Sequence, residues 1–449
     1  MRRTIAVAAI ATAVVLAAAG CSAGGGGGTS NGSVTLTATM WDPTQLPVYK
    51  QCAAEFKKKT GITVNLTQAD WTAYWPKLTT QLAAGTGPDV FTNHVNFFDQ
   101  FASSGQLLDL KPYLKKDGYT LDDAKVPSNK LWAVGGKQYS LSQDQDVTGL
   151  LYNEKDLGDY TPASLSSLTW NPDDGGTFQK MIEHLTVDKN GNRGDTPAFD
   201  KNNVKTYGFS MQGSGGVSGQ VTWSNFALGT GWTFANKNPY PTKFHLDDPK
   251  FVATWNWLQK MFQAGYIAPP KLVTSLGEQP LLDQNKTATI IEGSWEAAQR
   301  VPSADKAQKF QWAQLPTGPV GHPSSISNSI GPSVNAGTKH PAEAAKWATF
   351  VVSPTCANIV AKSGVEIPVD AAAATKALAT LKSQGVDTSG WATLFSHKEW
   401  LAAWPLTKAG AQINDLSNTT FDTTLPTGQQ TPQQALSQLS KQVNALVAK

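Results

Sequence analysis

Histidine and cysteine, the side chains on which most metal sites and many nucleophilic active sites depend, are scarce in this sequence. The 449 residues include six histidines and three cysteines, and none of them falls in a His-Glu-x-x-His pattern. A Gly-x-Ser-x-Gly elbow, a Walker phosphate loop and a Gly-x-Gly-x-x-Gly turn after a predicted strand are also absent. We therefore expect no catalytic residue, no metal ion and no cofactor.

One segment does begin like a calcium-binding loop. Asp188, Asn190 and Asn192 stand at alternate positions, but Arg193 takes the place of the required glycine and Phe199 that of the closing glutamate. The segment could be a calcium site or an Asn-Gly turn. The two departures from the calcium-loop pattern favour the turn.

A strong excess of one charge is lacking as well. The formal net charge is +3, and loss of Arg2 and Arg3 with the leader described below reduces the 37 Lys and Arg residues to 35, against 34 Asp and Glu residues. A chain this neutral lacks the basic footprint of a nucleic-acid-binding protein, so we expect no nucleic-acid partner. Beyond the leader, no apolar run approaches the length of a membrane span.

The N-terminus is typical of a secreted protein. Two arginines precede a short apolar run, and small residues lead to Cys21. This pattern resembles a bacterial lipoprotein signal, although Ala18 stands where leucine is usual. The resemblance implies that residues 1–20 are removed, that Cys21 carries the lipid and that the Gly/Ser-rich segment 21–33 is a tether. The alternative is cleavage nearby and a free secreted protein.

The two remaining cysteines, Cys52 and Cys356, leave two alternatives open. They could pair in an oxidising exterior, or they could be two buried thiols. The sequence alone does not show whether their Cα atoms are close enough for a disulfide.

Hydrophobic periodicity predicts an α/β protein. Alternation over 34–40, a helical pattern over 49–56 that stops at Gly61, a strand over 62–66, a helix from Trp71 to Gly85 and a strand over 89–93 together favour a parallel sheet with helices on its faces. The motif Thr431-Pro-Gln-Gln434 predicts a capping box at the start of the last helix. About 415 residues exceed one ordinary core, so we expect two domains.

Tryptophan is abundant, with fifteen residues. Several stand beside carboxylates or amides at probable strand ends or loops, in the groups Trp41-Asp42, Asp70-Trp71, Trp223-Ser-Asn225 and Glu292-Gly-Ser-Trp295. An indole face matches the C–H face of a sugar ring, and polar neighbours match its hydroxyls. Carbohydrate binding is therefore one interpretation, and packing in the core is the other.

Motifs along the whole chain resemble those of a known family. They are "AAEFKKKTGITV", "YWPKLTTQLAAGTGPDVF", "GQLLDL", "GKQYSLSQDQDVTGLLYNEKDL", "LTWNPDDGGTFQKMIEHLT", "TATIIEGSW", "HPAEAAKWATFVVSP" and "SGVEIP". In this order they resemble the extracellular solute-binding proteins of bacterial ATP-binding cassette importers, in the sugar-binding group that includes maltose-binding protein.

The resemblance implies a fold of two α/β lobes joined by a hinge, with each lobe discontinuous in sequence and the ligand between them. We expect lobe one at 34–145 and 285–335, and lobe two at 146–284 and 336–449.

The resemblance also implies a set of ligand-binding residues. Asp144 and Asp146 should lie at the first crossing between the lobes, ionised and accepting hydrogen bonds from sugar hydroxyls. The alternative for this pair is to cap a turn or to bind a lysine. The other candidates are Trp41, Asp42, Asp70, Trp71, Asn93, His94, Trp223, Asn225, Glu292, Trp295 and Glu366.

The expected function is capture of a sugar, in particular an oligosaccharide, for a membrane permease. The expected partners are the transmembrane subunits of the importer and a separate ATPase, and the expected state is a monomer held on the outer face of the cytoplasmic membrane through Cys21. One alternative keeps the fold and changes the ligand to a polyamine or another small solute. The other is a secreted glycoside hydrolase that pairs Asp144 with Glu292.

Overall fold

The computed structural model describes residues 34–123, 125–211, 216–301 and 309–448. The expected leader 1–20, the lipidated Cys21 and the tether 21–33 lie outside these described residues. Within them, no helix combines the length and the hydropathy needed to cross a bilayer.

The first third of the chain alternates strands and helices as predicted. Its elements are β1 (Thr35–Met40), α1 (Leu46–Thr60), β2 (Thr63–Gln68), α2 (Trp71–Ala83), β3 (Val90–His94), α3 (Val95–Ser103), α4 (Lys111–Lys116), β4 (Ala133–Val134), β5 (Lys137–Gln138) and β6 (Thr148–Asn153). Helix α1 ends where Gly61 adopts the left-handed conformation at φ 76°, and the Gly61 N–H donates to the carbonyl of Lys57.

The middle of the chain is richer in helix. Its elements are α5 (Pro162–Leu165), α6 (Gly176–Leu185), β7 (Val187–Asp188), β8 (Val204–Ser210), α7 (Ser224–Gly229), α8 (Pro249–Ala264), α9 (Pro270–Leu276), α10 (Glu278–Asp283) and β9 (Thr287–Gly293). Between β7 and β8, both oxygens of Asp188 accept hydrogen bonds from N–H groups of Asn190, Asn192 and Asp200. These bonds form the turn that was favoured over a calcium loop.

The last third of the chain contributes strands to both sheets and ends in helices. Its elements are β10 (Phe310–Ala313), β11 (Ser325–Ser327), β12 (Ile330–Val334), α11 (Pro341–Val351), α12 (Pro354–Ser363), α13 (Ala371–Ser383), α14 (Ser389–Ser396), β13 (Leu401–Ala403), α15 (Gly410–Thr419) and α16 (Pro432–Val447). The predicted capping box of Thr431 and Gln434 is present at the start of α16.

Two sheets organise the molecule. The first sheet has the order β12-β3-β1-β2, in which β1 is parallel to β2 and β3, and β12 is antiparallel to β3. The second sheet has the order β10-β6-β9-β8-β7. One core cluster packs α1, α11 and α12 against the first sheet, and a larger cluster surrounds the second sheet.

Sheet membership divides the chain differently from the expected lobe boundaries. Strands β9 and β10 fall within 285–335, which we expected in lobe one, but they pair with β6 in the second sheet. Helices α11 and α12 fall within 336–449, which we expected in lobe two, but they pack on the first sheet. The cause is non-local pairing, which a strand's own residues do not specify.

Three chain segments pass between the sheets and bond to one another. The backbones of Asp146 and Asn328 exchange two N–H···O bonds of 3.2 Å. The Gln145 N–H donates to the Ile367 carbonyl at 3.0 Å, and the Val369 N–H donates to the Gln143 carbonyl at 3.1 Å. We call these paired segments, around residues 143–147, 325–330 and 366–370, the crossing segments.

The structure resolves the alternatives left open for the cysteines. Cys52 on α1 and Cys356 on α12 form a disulfide, with their Cα atoms 5.2 Å apart and 304 positions apart in sequence. Both are fully buried against the first sheet.

Candidate functional site

A cleft of about 410 Å³ lies where the crossing segments meet the carboxyl ends of β1 and β3 in the first sheet and of β9 in the second. Ligands of open α/β sheets bind outside the carboxyl ends of the strands. The cleft is lined by Trp41, Asp42, Pro43, Gln45, Asp70, Trp71, His94, Asn96, Asp144, Asp146, Gln220, Val221, Trp295, Glu296, Gln299, Asn328, Ile330 and Trp404.

Eight of the thirteen residues named from the sequence line this cleft. They are Trp41, Asp42, Asp70, Trp71, His94, Asp144, Asp146 and Trp295. They are brought together because each follows a strand of one of the sheets, begins α2, or belongs to a crossing segment.

An aromatic wall forms one side of the cleft. The ring of Trp41 meets those of Trp71 and Trp75 at centroid distances of 5.1 and 5.3 Å. His94 meets Trp71 at 5.5 Å and Trp404 at 5.4 Å, both edge to face. Trp71 is 43% exposed, which is unusual for so large an apolar side chain and leaves an indole surface open to a ligand.

His94 has both roles that were weighed for it. Its Nδ1 accepts a hydrogen bond of 3.1 Å from the Asn96 N–H and so caps α3, while its ring lines the cleft. Burial lowers the pKa of His94 to about 3, because the charged form loses its hydration. The imidazole is therefore neutral at physiological pH, and its proton is on Nε2.

Asp144 and Asp146 bond to groups of other segments as well as line the cleft. The Ile330 N–H donates to Asp144 Oδ1 at 2.6 Å, and Ser294 Oγ donates to Asp146 Oδ1. Neither carboxyl pairs with a lysine in the described part of the chain. Burial is the main cause that raises the pKa of both carboxyls, and the pKa of Asp144 is raised further by the charge of Asp146.

This environment disfavours the expected ionisation of both aspartates. Both side chains are buried, and the charge of Asp146 raises the pKa of Asp144, because two neighbouring buried carboxylates cannot both keep their charge cheaply. The raised pKa values favour a protonated carboxyl in the pair, which would add a donor to its acceptors.

Asp42 is held rigidly at the end of β1. Its Oδ1 accepts from the Thr44 N–H and Thr44 Oγ1 at 2.7 Å each, and from the Gln45 N–H at 3.3 Å. Its Oδ2 accepts no hydrogen bond from the described residues. The side chain is only 9% exposed, and it is therefore a fixed acceptor at the cleft wall.

Five of the predicted residues do not line the cleft, and Trp223 is the clearest correction. It is 0% exposed and packs among Trp232, Phe251 and Phe421 in the core around the second sheet. Tryptophan beside a polar loop residue gives the same sequence signal in a core as in a binding site, and here packing is the reason for it.

The other four are buried polar groups with partners inside the protein. Asn93 donates to Ser333 Oγ, and Asn225 donates to the carbonyl of Gln220, a residue that does line the cleft. Glu292 accepts from the Gly293 N–H, and Glu366 accepts from Tyr49 and Gln143. They support the walls of the cleft and do not face it. Because Glu292 is not in the cleft, the Asp144–Glu292 pair of the hydrolase alternative is not formed.

Several residues that line the cleft were not predicted from the sequence. They are chiefly amides, with one carboxylate and one indole: Gln45, Asn96, Gln220, Gln299, Asn328, Glu296 and Trp404. An isolated amide in a loop carries no recognisable signal. Trp404 follows β13, far along the chain, and only tertiary contact with His94 brings it back to the cleft.

The comparison with protein families decides the assignment. The family model "Bacterial extracellular solute-binding protein" matches residues 41–355. The chain belongs to this family. No curated protein sequence matches the chain.

Several solved structures share the fold of this family member. UspC of M. tuberculosis is 23% identical, with 92% of this chain and 100% of that chain covered and a TM-score of 0.67. The substrate-binding protein Lmo0181 of Listeria monocytogenes, in complex with cycloalternan, is 19% identical, with 92% and 99% covered and a TM-score of 0.74. The MalE domain of Bdellovibrio bacteriovorus, bound to maltotriose, is 19% identical, with 93% and 100% covered and a TM-score of 0.68. The two-lobe α/β fold expected from the sequence is confirmed.

Proposed function

We propose that this family member is the substrate-binding component of an ATP-binding cassette importer, and that it captures a saccharide in the cleft and delivers it unchanged to a membrane permease. The observation that carries the proposal is the juxtaposition of indole surfaces with fixed acceptors. Half-exposed Trp71 lies beside Trp41, and Asp42 presents a rigid carboxylate at the same wall. This pairing fits the apolar face and the hydroxyl rim of a sugar ring.

The saccharides bound by several relatives agree with this proposal. The solved structures include complexes with cycloalternan, maltose and maltotriose. A cleft of about 410 Å³ is within the range of small-molecule sites. The proposed ligand is therefore a saccharide of more than one ring.

The paired crossing segments support a proposal for the lobes and their motion. We assign lobe one to about 34–145 and 328–368, and lobe two to about 146–327 and 369–449, with the ranges meeting at the crossing segments. The segments are the hinge, because closure can be absorbed by a few residues at element ends. Residues of both lobes line the cleft, so closure would enclose the ligand.

We propose further that the protein acts as a monomer anchored through Cys21 on the outer face of the membrane. Substitution Cys21→Ser, with the rest of the chain unchanged, should move the protein from the membrane fraction to the medium. Retention of that variant in the membrane fraction would contradict the anchor.

The test of the proposed function is thermal melting of the chain from Ser30 onward with a panel of saccharides. A ligand that binds only the folded state raises the melting temperature. We expect a rise with at least one saccharide and chemically intact saccharide afterwards. A rise accompanied by cleavage would identify a hydrolase, and a rise only with polyamines would identify a different solute.

A further inference from the structure

The cleft has an unusual charge for a protein that is nearly neutral overall. Five carboxyl groups line it, those of Asp42, Asp70, Asp144, Asp146 and Glu296. Among the described lining residues there is no lysine or arginine, although the sequence contains 37 of them. His94 does not compensate because it is neutral, with a pKa of about 3.

In the described part of the chain, no lysine or arginine forms an ion pair with one of these five carboxyl groups. Asp42, Asp144 and Asp146 accept hydrogen bonds from backbone N–H groups and hydroxyls. Arg300 attracts Glu296, but it forms its ion pair with Asp283 and does not line the cleft. Glu296 accepts a hydrogen bond from Gln299 at Oε1, and its buried Oε2 has no hydrogen-bond partner within the described ranges.

The carboxyl groups also act on one another, and the charge of Asp42 affects three others. Its carboxylate raises the pKa of Asp146, of Glu296 and of Glu366. These groups come from a strand end, a crossing segment and the segment after β9. An uncompensated set of buried carboxyls is costly unless a cation joins it, and closure of the lobes would raise that cost by removing water.

The aromatic wall favours a cation as well. The rings of Trp41 and Trp71 lie in contact next to Asp42 in the lining, and an ammonium group is attracted to an indole face as it is to a carboxylate. A neutral sugar would bond to the carboxylates and leave their charge in place. A uronic acid or a sugar phosphate would add to the repulsion.

We propose that the ligand is a saccharide that carries a protonated amine, an amino sugar or an oligomer of amino sugars, and that the ammonium group binds beside Asp42. The inference rests on the proposed function, and it narrows the substrate class within it. Asp42 Oδ2 accepts no hydrogen bond from the described residues, and it is the acceptor that the ammonium would satisfy, with Glu296 in the same lining.

The test uses pairs of saccharides that differ only in carrying a hydroxyl or an ammonium group at C2. Each neutral saccharide is paired with its 2-amino-2-deoxy counterpart, for example cellobiose with the glucosamine disaccharide of the same linkage, and calorimetry gives both affinities at low salt. We expect the amine to bind at least about tenfold more tightly than its neutral partner, and we expect this ratio to fall as sodium chloride is raised. Equal or tighter binding of the neutral partner would overturn the proposed preference for an amino sugar. The proposed capture of a saccharide would still hold.

Two variants localise the charge effect. Asp42→Asn should reduce the amine-to-neutral affinity ratio at least severalfold, and exposed Asp70→Asn provides the same test in a variant whose folding is not at risk. Asp117→Asn, on the exposed loop after α4, is the control and should leave the ratio unchanged. An unchanged ratio in both cleft variants would overturn the proposal. Binding of a linear polyamine with no saccharide bound would overturn the proposed function itself.

Discussion

The hydroxyl of Tyr49 on α1 lies 3.0 Å from each carboxylate oxygen of Glu366 on the third crossing segment. Gln143 Nε2 on the first crossing segment donates to the same carboxylate at 3.1 Å and to the Tyr49 hydroxyl at 2.6 Å. Three parts of the chain therefore meet at one buried acid next to the hinge. Despite these donors, burial raises the pKa of Glu366 to about 8.

This pKa predicts how stability depends on pH. The ordinary pKa of a glutamate is 4.5, so between about pH 4.5 and 8 the folded protein holds a proton that the unfolded chain releases. The free energy of unfolding should therefore be highest below that window and should fall as pH rises through it, by up to about 5 kcal/mol. Denaturant melts at pH 5, 6.5 and 8 measure this fall.

Glu366→Gln should make the fall in stability smaller, because glutamine replaces the protonated acid without a titration. Glu55→Gln, on the exposed face of α1, is the matched control and should melt with the pH dependence of the wild type. Stability of the wild type that rises from pH 5 to 8 would contradict this account of Glu366.

Trp71→Ala should weaken saccharide binding by more than about 1 kcal/mol, because it removes an indole surface from the cleft wall. Trp71 is 43% exposed, so the melting temperature of the free protein should change little. Trp400→Ala is the control, since Trp400 stacks on His322 and His397 and does not line the cleft. Equal affinities of Trp71→Ala and wild type would remove Trp71 from the site.

Gly293→Ala should also weaken ligand binding, because it displaces the neighbouring Trp295. A Cβ at Gly293 would overlap the six-membered ring of Trp295, which must then leave its place in the cleft wall. We expect a several-fold loss of affinity in calorimetry with a folded protein. Gly410→Ala is the control, because a Cβ there meets no atom within 4 Å. Unchanged affinity of Gly293→Ala would show that the position of Trp295 does not matter to the ligand.

The Cys52–Cys356 disulfide should contribute to stability and not to binding. It closes a loop of 304 residues, and removing such a crosslink costs about 2–5 kcal/mol. Cys52→Ser with Cys356→Ser should therefore melt at a lower temperature, while neither residue lines the cleft and ligand affinity at 25 °C should stay the same. A lowered affinity in the folded double variant would argue that the crosslink orders the cleft.

Local signals account for most of what the sequence predicted correctly. The alternation of β1, the end of α1 at Gly61 and the capping box at Thr431 each depend on a few neighbouring residues. The site residues found in advance share the same origin, because Trp41, Asp70 and His94 lie directly at the end of a strand or the start of a helix.

Tertiary structure accounts for the places where the structure differs from what the sequence led us to expect. The sheet that β9 joins is decided by its pairing with β6 and β8, and this pairing moved the expected lobe boundary. Trp223 and Trp295 have the same kind of sequence neighbourhood, but only Trp295 meets the cleft. The raised pKa values of Asp144 and Asp146 come mainly from burial, which a sequence pattern does not report.

The most direct measurement is calorimetric titration of the chain from Ser30 onward with the saccharide that most raises its melting temperature, followed by recovery of that saccharide. We expect binding of one saccharide per chain, a large loss of affinity in the double variant Asp42→Asn, Trp71→Ala, and ligand recovered chemically unchanged. Binding that the double variant retains in full, or saccharide recovered in cleaved form, would contradict this expectation.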